Sequence, residues 1–281
     1  MYLDGTIAKT PPSPSLENGT LLHLYCEDPD SFTISEVTKP NESLLNVVTQ
    51  YQAIKDSHLV DEMDVILIKA ARLANYYNNY KDETLLATLK KSNVYEYIAE
   101  LELNTGKQFL TKDQSNVITN CIEALNSHDA CAKYLFGEWE GCEIFHEKEI
   151  YFNHLGVDCK SRLDRVIISH EKKECILVDL KTTSKRAYFF IESFEFWRYY
   201  RQMAFYRLAL AYEYPGYKFS CYMPVVDTQF FTRHCFKVSD TQLDKGDVEY
   251  TALIQRIKWH IEMQEWNYSM EEFNNNHLII L

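Results

Sequence analysis

A chain of 281 residues, 46% hydrophobic and 25% charged with only 8 glycines and 7 prolines, is an ordinary globular polypeptide, which excludes collagen-like and low-complexity architectures. Its formal net charge of −12 excludes a general nucleic-acid coat, which needs an excess of Lys and Arg, but leaves room for a local basic groove. No apolar run approaches the ~20 residues of a membrane-spanning helix, the first residues do not read as a signal peptide, and none of the eight cysteines sits in a Cys-x-x-Cys pair. The expectation is a cytoplasmic protein with free thiols, no membrane partner and no iron–sulfur cluster.

Residues 1–15, with Thr10-Pro-Pro-Ser-Pro-Ser15, read as an extended lead-in to one domain over 16–281. A short apolar segment from Ser15 to Tyr25 follows, stopped by Asp28-Pro29. From about 33 to 137 the periodicity is helical, in stretches such as Ser43–Ile54, Asp64–Leu73, Glu83–Leu101 and Gln114–Leu125. Thr111-Lys-Asp-Gln114 has the spacing of a capping box ahead of the last of these.

From 143 the pattern changes to strands, over Glu147–Asn153, Lys160–Ser169 and Cys175–Lys181. A helix over Glu195–Tyr212, strands over Lys218–Val225 and Phe230–Val238, and a helix over Asp247–Glu265 complete a core at 143–266. This order predicts an α/β (α+β) fold with a mixed central sheet flanked by helices and a helical N-terminal segment.

The chemistry concentrates in one predicted hairpin. Two β-branched runs, Ser161–Ser169 and Cys175–Thr183, flank Glu171-Lys-Lys-Glu174. A turn centred there sets Asp164 opposite Asp179, with Cβ atoms about 5 Å apart, a repulsive pairing unless something offsets it. A hard divalent cation, Mg²⁺ or Mn²⁺, does so through carboxylate oxygens. Lys181, two residues beyond Asp179, shares its face of the strand, where an ammonium can orient a water or steady charge on a phosphate. Leu163, Ile167, Ile176, Val178 and Leu180 fall on the other face and predict a hairpin apolar on one side and chemical on the other. The plain alternative is a surface hairpin with an Asp–Lys ion pair.

Further along, Gln202 and Tyr206 are four apart on one helical face, where an amide and a phenol can reach the same site. Between Lys181 and Arg201 five basic residues, Lys181, Lys185, Arg186, Arg198 and Arg201, stand against Glu192 and Glu195, a local reversal of sign. The aromatic run Phe189, Phe190, Phe194, Phe196, Trp197, Tyr199 and Tyr200 reads mainly as an amphipathic core helix, with one or two rings free to stack on bases. Glu147 is either a solvated strand residue or a contributor to a second metal.

Four stretches, Gly19-Thr-Leu-Leu-His23, Leu163-Asp-Arg165, Asp179-Leu-Lys-Thr-Thr183 and Tyr200-Arg-Gln-Met-Ala-Phe-Tyr206, resemble in order the motifs of RecB-like nucleases of the PD-(D/E)XK superfamily. Gly19 to Phe32 is similar to the opening of phage-type, RecE-like (exonuclease VIII-like) exonucleases, with Asp28 where their Glu usually precedes Pro. Lys107 to Trp266 also resembles that group, residues 33–100 much less.

The resemblance implies a PD-(D/E)XK restriction-endonuclease-like core and a Mg²⁺- or Mn²⁺-dependent DNA exonuclease of phage or prophage recombination. It implies metal ligation by His23, Asp164, Asp179 and the Leu180 carbonyl, and catalytic roles for Lys181, Gln202 and Tyr206. DNA contacts are expected from Arg165, Thr182, Thr183, Lys185, Arg186, Arg198 and Arg201. Expected partners are DNA, further copies of the chain as a homo-oligomer, and a single-strand annealing protein. No Gly-x-x-x-x-Gly-Lys nucleotide loop accompanies these motifs. A structure-specific or restriction-type endonuclease, or a retired DNA-binding subunit, remains the alternative.

Overall fold

The alternation that begins at residue 143 builds a six-stranded mixed sheet in a computed structural model that describes residues 14–57 and 62–275. The lead-in expected over 1–15 lies outside the described residues, except that Pro14 already opens a helix. The chain divides into two compact units, residues 28–116 and the remainder. In chain order the elements are α1 (Pro14–Glu27), β1 (Phe32–Ile34), α2 (Glu42–Asp56), α3 (Met63–Leu73), α4 (Asp82–Lys91), α5 (Val94–Leu103), β2 (Gln108–Leu110), α6 (Lys112–Asn126) and α7 (Asp129–Leu135). Then come β3 (Glu143–His154), β4 (Val157–Ser169), β5 (Glu174–Val178), β6 (Lys181–Thr183), α8 (Phe190–Phe196), α9 (Tyr199–Glu213), β7 (Lys218–Asp227), β8 (Arg233–Lys237), α10 (Asp240–Met263) and α11 (Met270–Asn274).

The unit of residues 28–116 has its own core, with Val47, Tyr51, Ile66, Leu67, Leu85 and Leu89 buried between α2, α3 and α4. The single helix expected over Glu83–Leu101 is two, because Ser92 turns extended and its hydroxyl donates to the Leu89 carbonyl at 2.7 Å. Periodicity did not show the parallel pair β1–β2, in which Thr33 faces Phe109. The capping box forms as expected: Gln114 N–H donates to Thr111 Oγ1 at 3.1 Å and Thr111 N–H to Gln114 Oε1 at 3.0 Å.

In the other unit β3, β4 and β5 are antiparallel neighbours, and the β4–β5 register follows the expected hairpin, Arg165 facing Val178 and Val166 facing Leu177. β7 lies parallel to β5 and to β6 in one continuous register, Val178 beside Tyr222 and Lys181 beside Val225. β5 and β6 are therefore one strand line broken at Asp179–Leu180. β8 returns antiparallel along β7.

Both faces of this sheet are covered, which corrects the hairpin expected to be apolar on one side only. The face bearing Asp164 also carries Val166, Ile168, Cys175 and Leu177, all buried with Met203, Ala204 and Leu210 of α9. The opposite face meets α7, where Tyr134 stacks on Tyr222 with ring centroids 3.8 Å apart. A side chain buried in such a layer contributes roughly 1.5–3 kcal/mol. Polar chemistry is confined to the end of the strand line, where helix cover runs out.

α10 begins seven residues earlier than expected, at Asp240 after the Ser239 cap, and runs through Gly246. An added Cβ at Gly246 would lie 2.5 Å from the Tyr200 carbonyl oxygen and 2.6 Å from Ala204 Cβ. The glycine is there to let α10 approach α9. Likewise the helix expected over Glu195–Tyr212 is divided between α8 and α9, split at Trp197 and a left-handed Arg198 (φ 56°).

Candidate active site

At the strand break Asp179 N–H still donates to Tyr222 O at 3.0 Å, but Leu180 N–H turns away from the ladder and donates to Asp164 Oδ2 at 3.0 Å. The bend thus binds the two acidic strands together through a carboxylate. α1 delivers His23 to the same carboxylate, its Nδ1 3.3 Å from Asp164 Oδ2. That approach needs Gly19, since a Cβ there would sit 2.5 Å from Thr182 Oγ1 on β6. The Gly19-Thr-Leu-Leu-His23 motif accordingly works as a seat one turn before the imidazole.

Asp179 is 1% exposed, with Lys181 Nζ 2.6 Å from its Oδ2. Oδ1 is buried without a hydrogen-bond partner, and Oδ2 has the Lys181 ammonium alone. Burial pushes the Asp179 carboxyl up to about 6; Lys181 pulls it back and the Asp164 charge adds to the rise. Burial lowers Lys181, yet Asp179 and Asp164 outweigh it and hold the amine above its ordinary value. Lys181 stays an ammonium, and Asp179 is the member of the pair left short of compensation.

Burial raises Asp164, but His23, Lys181 and the Leu180 N–H hold it below the usual carboxylate range. Burial likewise lowers His23, and the Asp164 hydrogen bond with the charges of Asp164 and Asp179 more than reverses it. These groups open onto a cleft of about 570 Å³ whose walls include Thr20, Glu27, Glu147, Arg162 and Tyr199.

Glu27 was not singled out from the sequence, although Gly19, His23 and Glu27 fall four apart on one stripe of α1. Burial and a hydrogen bond with Glu147 push its carboxyl up to about 7. Glu147, paired with Arg162 Nε at 2.6 Å, has φ 46° within a strand, an uncommon conformation for a residue with a Cβ. Tyr199, named from the sequence only within the aromatic run, lies at the site: Lys181 Nζ sits 5.2 Å from its ring centroid.

Gln202 and Tyr206 come together as their spacing implied, with Gln202 Nε2 donating to Tyr206 Oη at 2.9 Å. Burial first, then the Asp179 charge, raises the Tyr206 phenol, which marks it as a neighbour of the carboxylates.

The expected DNA contacts divide. Arg165 is a correction: it is 7% exposed, its Nη2 donates to Gly137 O at 2.7 Å, and its Nη1 lies 3.2 Å from His146 Nε2. Adjacent residues on a strand face opposite sides, so Arg165 points into the α7 layer, away from Asp164. Arg198 and Arg201 share Glu249, at 3.1 and 3.6 Å, and Lys185 pairs with Glu192 at 3.1 Å. The sign reversal counted along the chain is therefore largely offset in space by Glu249 and Glu192. Arg186 stacks over Phe230 at 5.0 Å, Thr182 lines the cleft, and the Thr183 hydroxyl accepts from Lys185 N–H at 3.2 Å.

Among the described residues no three His, Cys, Asp or Glu side chains converge as a ready-made cation site, because Asp179 is turned to Lys181 and Asp164 to Leu180 and His23. The donor chemistry nevertheless fits a hard divalent cation: a buried carboxylate whose Oδ1 has no partner, a second carboxylate and an imidazole. All eight cysteines are free thiols. Among the described residues no helix is long and apolar enough to cross a membrane.

No curated protein matches the chain. Among solved structures it is similar to one described as "Putative exonuclease" from Eubacterium rectale, at 14% identity over 97% of this chain and 95% of that one, with a TM-score of 0.43. It is also similar to SSO0001, at 15% identity over 77% of this chain and 88% of that one, with a TM-score of 0.27. Likenesses this low say nothing of activity. The family of PDDEXK-like domains of unknown function (DUF3799) matches residues 3–276, and the paired aspartates, the lysine two residues on and the mixed sheet that positions them agree with it: the chain belongs to that family.

Proposed function

We propose that this protein is a metal-dependent DNA exonuclease that hydrolyses linear duplexes from their ends, in the manner of RecE-like enzymes of phage recombination. The observation that carries the reading is Asp179, a buried carboxylate whose one partner is the Lys181 ammonium, held beside Asp164 at the break in the strand line. Mg²⁺ or Mn²⁺ at Asp164, Asp179, His23 and the Leu180 carbonyl would supply Lewis acidity and a water of lowered pKa.

The chain's own groups do the rest. Lys181, kept cationic by two aspartates, is placed to steady negative charge on phosphorus oxygens as they gain it. Tyr206 and Gln202 present a hydrogen-bonded pair that can hold a non-bridging oxygen. The open cleft admits a strand, and His23 orients the Asp164 carboxylate. A homo-oligomer would bring several such clefts around one duplex and make an acidic chain compatible with processive DNA binding.

The test compares an end-labelled linear duplex with the same DNA covalently closed, in Mg²⁺, Mn²⁺ or EDTA. Linear DNA should shorten only with metal, closed circles should persist, and Asp179→Ala should abolish turnover while retaining DNA binding. Wild-type turnover in Asp179→Ala or in EDTA would overturn the site. Nicking of closed circles as fast as linear DNA is shortened would replace the exonuclease reading by an endonuclease.

A further inference from the structure

A second cavity, of about 660 Å³, adjoins the catalytic cleft in the same unit and is largely apolar. Val157, Tyr250 and Ile254 in its lining are buried, Leu253, Ile257 and Trp197 are exposed, and Tyr199 lines both this cavity and the catalytic cleft. Trp197 is 63% exposed and Phe196, edge-on to it at 4.8 Å between ring centroids, is 74% exposed. Phe190 and Tyr200 of the same aromatic run are buried in the core, so the run separates into packing rings and rings presented to solvent. The left-handed backbone at Arg198 (φ 56°) makes the split, ending α8 so that Trp197 projects rather than packs.

Trp197, Phe196, Leu253 and Ile257 are all exposed, and a group of exposed apolar side chains rimmed by polar residues marks an interaction site. The rim is close to neutral, since Arg198 and Arg201 are set against Glu249 and Asp158. A phosphate-tracking groove would keep its arginines unpaired. An apolar, aromatic and near-neutral cavity instead suits the flat faces of unpaired bases. Its wall is shared with the catalytic cleft through the ring that lies under Lys181.

We infer that this cavity is a stacking subsite for unpaired bases of the strand whose backbone occupies the catalytic cleft, with Trp197 as its platform. The inference rests on the nuclease reading and deepens it. The enzyme would act on a strand already separated from its partner at the end, and a base held at Trp197 would fix the position of the scissile phosphate at Asp179 and Lys181.

The experiment measures binding of a fluorescein-labelled oligothymidylate to the full-length protein in EDTA, for wild type, Trp197→Ala and Trp197→Phe. It also measures metal-dependent cleavage of linear duplexes with frayed or fully paired ends. Trp197→Ala should weaken oligonucleotide binding roughly 5- to 150-fold, the loss of about one stacked base. Trp197→Phe should recover most of it, and the salt dependence should stay that of wild type because the contact is not ionic. Cleavage of frayed ends should fall in the alanine variant alone.

Equal oligothymidylate binding by wild type and Trp197→Ala, or none by wild type, overturns the inference while active cleavage leaves the nuclease reading intact. A Trp197→Ala protein that loses only self-association, seen by sedimentation, also overturns it and makes the patch an interface between copies. Stacking at Trp197 with no cleavage under any metal would sink the nuclease reading and leave the subsite standing.

Discussion

Replacing Asp179 by Asn tests whether this buried carboxylate is a cation ligand. The side chain keeps its shape but loses its charge, so a cation bound by wild type loses its most buried ligand. All four tryptophans, Trp139, Trp197, Trp259 and Trp266, lie in the unit that carries the sheet, so their fluorescence reports that unit's unfolding. At a Mn²⁺ concentration ~100-fold above the dissociation constant, wild type gains about 2.7 kcal/mol. For a unit of this size that raises the melting temperature by roughly 5–10 °C.

Asp179→Asn should show almost none of that shift. Without metal the signs run the other way. The folded-state pKa of Asp179 is raised to about 6, so its contribution is full below the unfolded value of about 3.9 and is lost as pH rises through 6. Asn escapes that loss, while Lys181 keeps the charge of Asp164 nearby, so the metal-free variant should melt at or above the wild-type temperature at pH 8. A full Mn²⁺ shift in Asp179→Asn, or none in wild type at saturating metal, would refute the reasoning.

Gly246→Ala should lower stability by about 1–2 kcal/mol in urea titrations, although alanine ordinarily gains ~1 kcal/mol within a helix, because the new methyl group meets the Tyr200 carbonyl across α9–α10; a more stable variant would disprove that close approach. Glu27→Gln should stabilise the protein increasingly from about pH 4 up through 7 and level off above, since the raised carboxyl of Glu27 loses its folded-state advantage as it ionises beside Glu147. Parallel pH–stability curves for variant and wild type would show that the two carboxyls do not share a proton. Asp227→Ala should cost about 3 kcal/mol or more, because the buried carboxylate accepts from the N–H groups of Gln229, Phe230 and Thr232 and from the Thr232 hydroxyl. Burial opposes ionisation of Asp227, but those donors hold its pKa low, so wild type alone should lose this increment as pH falls below about 4, read by acid titration of tryptophan fluorescence.

Local rules carried a good part of the molecule. The polar turn at 171–174 with β-branched flanks determined the β4–β5 register, because a hairpin turn and the two-residue period of a strand leave one alignment that keeps apolar side chains together. The Thr111–Gln114 box determined the start of α6, since its partners are three residues apart. Gln202 and Tyr206 meet because four residues make one helical turn. The same strand period also indicates that Arg165 points away from Asp164, a signal available in the sequence and not used for the DNA contacts.

Other features belong to the tertiary structure alone. The strand line could break at Asp179–Leu180 only because β7, some forty residues on, pairs with both halves while Asp164 takes the Leu180 N–H. His23 reaches Asp164 through the space Gly19 leaves beside Thr182, a contact between segments far apart in the chain. Glu249 neutralises arginines that a count along residues 181–201 left unpaired. Sequence periodicity encodes which face of an element is apolar, but burial, pairing and charge compensation depend on which distant element covers that face, and only the folded chain decides that.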